Sequence, residues 1–408
     1  MKLPSLLRLR ALSLLLAVGC QRSEPVVVPV DPPASSSPRT ESAPTYAAVL
    51  AALDDRIASA RSQAAAMPKD WSRAARLSAL LQQRFRLTSD IADLLDADAV
   101  VTEAFALTVP GGGPWAARAA LSATLHDLAT AEDAHQRLVD RPLQSAADKA
   151  TALRGLAQVA LARGQVELAR THLSAARSLS DDFSQACAEA RLAELTQGVE
   201  AADRHFASAS ERLVRATGEA PAWLALQRAR LALARGALPE AEDHLNVARA
   251  ALPGWWAIDA FAADLAFARG DTAAARAALE AAAEGAPHPE YAARLAIVVA
   301  ETDLFAAEEM MSLARLRMSE WLARAPSAMA THAAQLALAE GDADRGLDLA
   351  REHARTHSDV DALVLLARAA TLAGEPAVAA EAMARVAAGP WDADYVAGLC
   401  AVGGCPHR

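Results

Sequence analysis

The chain has 408 residues, a formal charge of −10, and a composition that is 53% apolar but only 4% aromatic. Nucleic-acid binders need a basic face to neutralise phosphates, and no Lys/Arg cluster is visible here, so nucleic acid is not an expected partner. Alanine dominates the apolar set; it is the best helix former and lets helices approach closely, which points to packed α-helices.

Residues 1–19 read as a bacterial export signal. Lys2, Arg8 and Arg10 form a positive start, Ala11 to Val18 a short apolar stretch, and Gly19 a small residue before Cys20. About eight apolar residues are too few to cross about 30 Å of hydrocarbon. Removal of the segment takes away three positive charges and no acid, leaving −13. The string Ala17-Val18-Gly19-Cys20 resembles the lipobox of bacterial lipoproteins, with Ala17 where most members carry Leu. That resemblance implies cleavage before Cys20, a diacylglyceryl thioether on its sulfur and an additional N-acyl chain, more than one chain being what stable anchoring requires. Gln21, standing where Asp would favour inner-membrane retention, makes the periplasmic side of the outer membrane the expected location. The competing reading is an ordinary secretory signal with an incidental cysteine. Residues 20–44 are then the lipidated cysteine and a Pro/Ser-rich, extended tether.

Residues 45–148 show apolar positions at helical spacing from Tyr46 to Ala66 and from Trp71 to about Asp96, with Pro68 and Pro110 as stops. Degenerate hairpins capping a longer array are expected, because terminal repeats need an atypical outer face. The run Pro110-Gly111-Gly112-Gly113-Pro114 lacks the Gly-Lys-Ser/Thr ending of a phosphate-cradling loop and reads as a simple connection.

From 149 to 391 the chain repeats. Gly164, Gly198, Gly236, Gly270, Gly341 and Gly374 recur at spacings of 34, 38, 34, 71 and 33, each closing the first helix of a hairpin. A period near 34 marks a stacked helix–turn–helix array. In 222–255, Ala229, Gly236, Ala241, Leu245, Ala248 and Pro253 hold unit positions 8, 15, 20, 24, 27 and 32; in 256–289 the same places hold Ala263, Gly270, Ala275, Leu279, Ala282 and Pro287. On these residues the array resembles the tetratricopeptide repeat family. The resemblance fades at both ends, and the 290–326 unit, with three extra residues and no turn glycine near Leu304, departs furthest. It implies an all-α fold, a right-handed α-solenoid of helix–turn–helix repeats.

Little chemistry stands out. His353 and His357 are four apart on a predicted helix, but the order Glu352-His353-Ala354-Arg355-Thr356-His357 is not HExxH and no third ligand is in view; no metal and no cofactor are expected. In the tail, 392–408, Cys400 and Cys405 bracket Ala-Val-Gly-Gly and read as a disulfide loop in an oxidising compartment. A Cys-Cys-His site using His407 competes with it. Cys187 reads as a buried small hydrophobe. Adjacent acids such as Asp54-Asp55 point in different directions on a helix and read as solvated surface.

The family resemblance implies a concave wall built from the first helix of each unit. Mapped here, the ligand-binding groove comprises Arg154, Gln158, Trp223, Arg230, Asp264, Phe267, Gln335 and Arg368. Arginines that pair bidentately with carboxylates suit an extended peptide or its C-terminus. Trp223, Trp255 and Trp256 read as wedges between hairpins more readily than as an aromatic cage. The expected function is a non-enzymatic, lipid-anchored periplasmic scaffold holding a protein or peptide, as in envelope assembly. The alternative is a periplasmic enzyme or its regulatory subunit, with catalytic residues in 45–148 or 290–326, although neither stretch shows a nucleophile–base pair or a metal quartet. Neither the partner nor the oligomeric state can be read from the sequence.

Overall fold

The computed structural model describes residues 43–403 apart from 110, 143, 214, 215 and 287, so the signal, Cys20, most of the tether, Cys405 and His407 lie outside the described residues. Among those described, the chain is helical and has no strands. In order, the helices are α1 (Tyr46–Ala66), α2 (Trp71–Thr88), α3 (Ile91–Ala106), α4 (Trp115–Thr124), α5 (Leu128–Asp140), α6 (Ala146–Ala162), α7 (Val166–Leu179), α8 (Phe183–Gln197), α9 (Val199–Glu211) and α10 (Glu219–Ala234). They continue with α11 (Leu238–Ala251), α12 (Trp256–Arg269), α13 (Thr272–Gly285), α14 (Pro289–Val299), α15 (Leu304–Arg324), α16 (Pro326–Glu340), α17 (Ala343–Ala354), α18 (Val360–Leu372), α19 (Pro376–Ala388) and α20 (Ala393–Gly403). From α2 onward they pack as hairpins, α2 with α3 through α18 with α19, and α20 rests on α18. The α-solenoid of paired helices expected from the repeat is the fold observed.

Local chemistry sets the boundaries. The side chains of Asp70, Asp90, Asp127, Ser145, Asp182 and Asp271 accept backbone N–H groups at the starts of α2, α3, α5, α6, α8 and α13. The six repeat glycines have φ of +73 to +90°, the left-handed region that ends a helix cheaply only without a Cβ. Gly164 carries a second constraint, because a Cβ there would stand 2.6 Å from the carbonyl oxygen of Ser358. The single helix expected from Trp71 to Asp96 is in fact two. Ser89 takes a left-handed φ of 58° and Asp90 caps the next helix, so a local cap overrides the continuous apolar pattern.

Burial separates two kinds of helix. On α6 nearly every residue from Ala150 to Ala162 is buried, whereas on its partner α7 only Val166, Ala169, Leu173 and Ala176 are. The first kind is an inner layer, enclosed on all sides; the second is an outer layer showing one apolar stripe to it. The small residues at unit positions 20 and 27 belong to that stripe: Ala241, Ala248, Ala275 and Ala282 are fully enclosed.

The array curls until its turns touch. The amide of Ser358, ahead of α18, donates to the carbonyl of Ala162 at the end of α6 (2.8 Å), and that of Asp392, ahead of α20, donates to Leu195 on α8 (2.8 Å). The amide of Tyr46 likewise donates to Pro253, ahead of α12 (2.9 Å). Each of these bonds joins points six hairpins apart in the helix order. The apolar core accordingly crosses between turns: Leu53, Leu77 and Leu81 pack in one cluster with Leu252, Trp255 and Trp256, and Leu161 and Leu192 pack with Leu363 and Val386.

Candidate functional site

Contacts six hairpins apart show a tight curl, which crowds the inner helices together. The groove residues show the consequence. Arg154 is buried, donating to Thr151 Oγ1 at 3.0 Å and lying 3.4 Å from Asp182. Arg230 reaches Glu194 at 2.5 Å. Asp264 is 5% exposed and ion-paired with Arg294, itself 2% exposed. Gln335 is buried, and its Oε1 has no hydrogen-bond partner among the described residues. Trp223 wedges edge-on between Phe183 (6.5 Å) and Phe206 (6.1 Å), the packing role favoured by the sequence. Gln158, Phe267 and Arg368 are half-buried. Burial lowers the Arg368 guanidinium from its ordinary pKa.

An open, solvent-lined wall is therefore corrected at Arg154, Asp264 and Gln335. They stand on the inner helices as expected, but the tight curl turns them toward neighbouring hairpins. Burial raises the Asp264 carboxyl to about 7, outweighing the opposing pull of Arg294. The tail reading is half covered by the described residues: Cys400 lies on α20 and is disulfide-bonded, while Cys405 lies outside them. Cys187 is buried, as expected.

Five histidines also gather into two clusters. In the first, His353 on α17 and His357 just beyond it stack at 4.0 Å with 17° between ring planes. His126, in the turn between α4 and α5, approaches them with ring centroids 5.4 Å from His357 and 6.2 Å from His353. One ring nitrogen from each lies within 4.8 Å of the others. His126 is the third imidazole that the sequence did not bring into view. A signal existed: it stands 38 residues before Gly164, the spacing that also separates Gly198 from Gly236, and it holds the turn-glycine place with a left-handed φ of 59°. Burial, then mutual repulsion, lowers His126 to about 3 and His353 to about 2, and burial lowers His357 to about 4, so all three are neutral at pH 7.

In the second cluster, His332 Nδ1 bonds Glu290 Oε2 at 3.1 Å, and His288 Nδ1 accepts the Glu290 amide as the cap of α14. Burial acts to raise the Glu290 carboxyl, but the bond from His332 and the nearby His332, His288 and Arg294 hold it at about 2. Burial lowers His288 to about 3. Glu290 Oε1 is buried here without a hydrogen-bond partner among the described residues.

Outside, α15 differs from the other outer helices. Leu304, Phe305, Leu313 and Leu316 are exposed on it, Phe305 at 83%. Its hairpin has no turn glycine; the amides of Thr302 and Asp303 close the turn on Val299 instead.

No protein-family model matches the chain, and no curated protein does. Among solved structures it is similar to the APC/C hetero-tetramer Cut9–Hcn1, with 16% identity and a TM-score of 0.43 over 74% of this chain and 56% of that one. It is similar to a tetratricopeptide repeat protein from Parabacteroides merdae, with 17% identity and a TM-score of 0.39 over 62% of this chain and 93% of that one. Yeast Tom70 gives 12% identity and a TM-score of 0.43 over 87% and 85%. The chain thus spans little more than half the length of the first of these, and its solenoid character rests on its own hairpins.

Proposed function

We propose that the chain is a non-enzymatic, lipid-anchored scaffold of the bacterial envelope that holds a protein partner on the outer face of α15. The anchor is Cys20, on the strength of the lipobox resemblance. The observation that carries the docking surface is the exposure of Leu304, Phe305 and Leu316 (67%, 83% and 58%) on a helix whose hairpin departs from the repeat. Residues 305, 309, 312 and 316 fall on one face at helical spacing. An aromatic anchor flanked by leucines is the kind of patch that dominates protein–protein binding energy. Glu308 and Glu309 stand beside the Phe305 end, and over the whole helix three acids balance Arg315, Arg317 and Arg324, so α15 offers no net positive charge to an anionic lipid surface. The fitting partner presents an apolar helical face or loop with basic flanks.

The test places a photoreactive residue at Phe305 or Leu316 in cells, with exposed Asp348 on α17 as control. One polypeptide crosslinked from both sites, absent from the control and lost with Glu308→Lys/Glu309→Lys, is the expected result. No adduct at either site sinks the reading, and adducts from Gln158 or Arg368 return docking to the inner wall. Cys20→Ser is expected to abolish labelling by a fatty-acid probe.

A further inference from the structure

We propose that His126, His353 and His357 form a binding site for a divalent transition metal of the zinc class, which staples the first turn of the solenoid to the second. The donor set is three imidazoles, the ligand type that suits zinc, copper or nickel rather than magnesium or calcium. Their ligand nitrogens lie within 4.8 Å of one another. A tetrahedral zinc with bonds of 2.0–2.1 Å holds its nitrogens about 3.4 Å apart, so the rings must close by about an ångström. Side-chain rotation of imidazoles supplies that movement without shifting a helix.

Hydrogen bonding prepares one of the ligands. Thr356 Oγ1 stands 2.9 Å from His357 Nδ1 and can accept a proton held there, the tautomer that leaves Nε2 its lone pair for a metal. His357 Nε2 is buried and without a hydrogen-bond partner among the described residues. Fixing the tautomer through the second ring nitrogen is how metal-binding histidines are ordinarily oriented. The Nδ1 of His126 is likewise buried without such a partner. Two unmet buried nitrogens in one cluster are costly as they stand and are satisfied together by one cation.

In the repeat the turn place belongs to glycine; His126 occupies it at φ 59°, as Ser89 does at φ 58° two helices earlier. Thr331 Oγ1 stands 3.4 Å from His353 Nε2, steadying the third ring. Three protein donors leave at least one coordination position for water. Because His126 and His357 belong to hairpins six apart, the site exists only when the second turn is seated, and binding reads out as stability of that seam.

The experiment uses the mature chain without an affinity tag, stripped with chelator, and titrated with Co²⁺ or Zn²⁺ alone. Expected are one Co²⁺ per chain with visible d–d absorption, a melting temperature raised by a few degrees with Zn²⁺, and slower exchange of the Ser358 amide. His126→Asn tolerates the left-handed turn and His126→Gly relaxes it, so both should fold at least as well as the parent without metal, yet lose the absorption and the shift. His332→Gln, in the neighbouring cluster, should keep both. Absence of the d–d band in the parent overturns the proposal, as does a band that survives in both His126 variants.

Discussion

Two seams hold the first turn of the solenoid to the second, and they differ in the polar chemistry set beside an apolar core. Where α1 and α2 meet α10 to α12, the contact is an apolar core, with Arg86 and Glu219 paired at 2.8 Å beside it. Its central polar feature is the Leu87 carbonyl in the last turn of α2, one of the groups a helix end leaves unmet. It accepts from Trp256 Nε1 at 2.6 Å, Tyr46 Oη at 3.0 Å and Trp255 Nε1 at 3.2 Å. Where α8 meets α18 and α20, an apolar cluster of Leu192, Leu195, Leu363 and Val364 carries an ionic network beside it. Arg191 reaches Asp361 at 2.6 Å, Glu194 at 3.2 Å and Tyr395 at 3.2 Å, and the Tyr395 hydroxyl donates to Asp361 at 2.8 Å. The same closure thus rests on apolar area in both places, with a charged network added at one. An apolar seam should be indifferent to salt and to moderate pH, and an ionic one should respond to both.

The sharpest break of the apolar seam is Trp256→Ala. It removes a side chain left 5% exposed, together with the shortest bond to Leu87, and should cost about 3–5 kcal/mol in denaturant unfolding. The loss should be the same at low and high salt. Next in size is Gly164→Ala at the other seam. Its positive φ is strained for any side chain, and the new methyl meets the backbone of Ser358, which cannot swing aside. We expect about 2–4 kcal/mol, with exchange of the Ser358 amide accelerating more than that of amides in α10. Equal acceleration in both would mean that the turns do not separate at this place.

These two positions also show what the sequence could and could not disclose. The turn glycines were legible because a left-handed helix end has a local requirement that repeats with the hairpin. The alanines at positions 20 and 27 were legible for the same reason: each faces its own partner helix. The closure of one turn on the next was not, since it pairs residues six hairpins apart with no local pattern to announce it. Asp264, expected to face a ligand, lies buried against Arg294 on the next hairpin, and His126 meets His353 only through the closure. Pattern reading also ran through Ser89, where the chain breaks one predicted helix into two.

A matched pair of substitutions sharpens the contrast at lower cost to the fold. Tyr395→Phe deletes a hydroxyl bonded to both Arg191 and Asp361 and should cost about 1.5 kcal/mol, since bonds to charged groups lie at the stronger end. Arg191 is 37% exposed on its side chain, so high salt should shrink this cost. A salt-independent loss would show that the hydroxyl matters for packing alone.

Between the seams, Asp264→Asn tests the inner wall through pH. The folded carboxyl is raised to about 7 because burial outweighs Arg294. A raised acid favours the folded state fully below its unfolded value near 4 and loses that contribution as pH climbs to about 7. Asn does not titrate. The stability of the variant relative to the parent should therefore rise from pH 4 to pH 7 and be level above it, as read by denaturant unfolding at each pH. A difference that stays constant across that range would place a charged Asp264 in the fold throughout.

The smallest expected effect is Tyr46→Phe, the counterpart of Tyr395→Phe in the apolar seam. A carbonyl has two lone pairs, and Leu87 already has three donors, so removing one leaves it satisfied. What is lost is one neutral hydrogen bond, about 0.5–1 kcal/mol. Burial raises the Tyr46 hydroxyl to about 12, so no ionisation should intervene below that pH, and salt should leave the value unchanged. If the two Tyr→Phe losses instead matched in size and in salt dependence, charge would contribute nothing distinctive at Arg191, and both seams would be apolar closures that differ only in their rims.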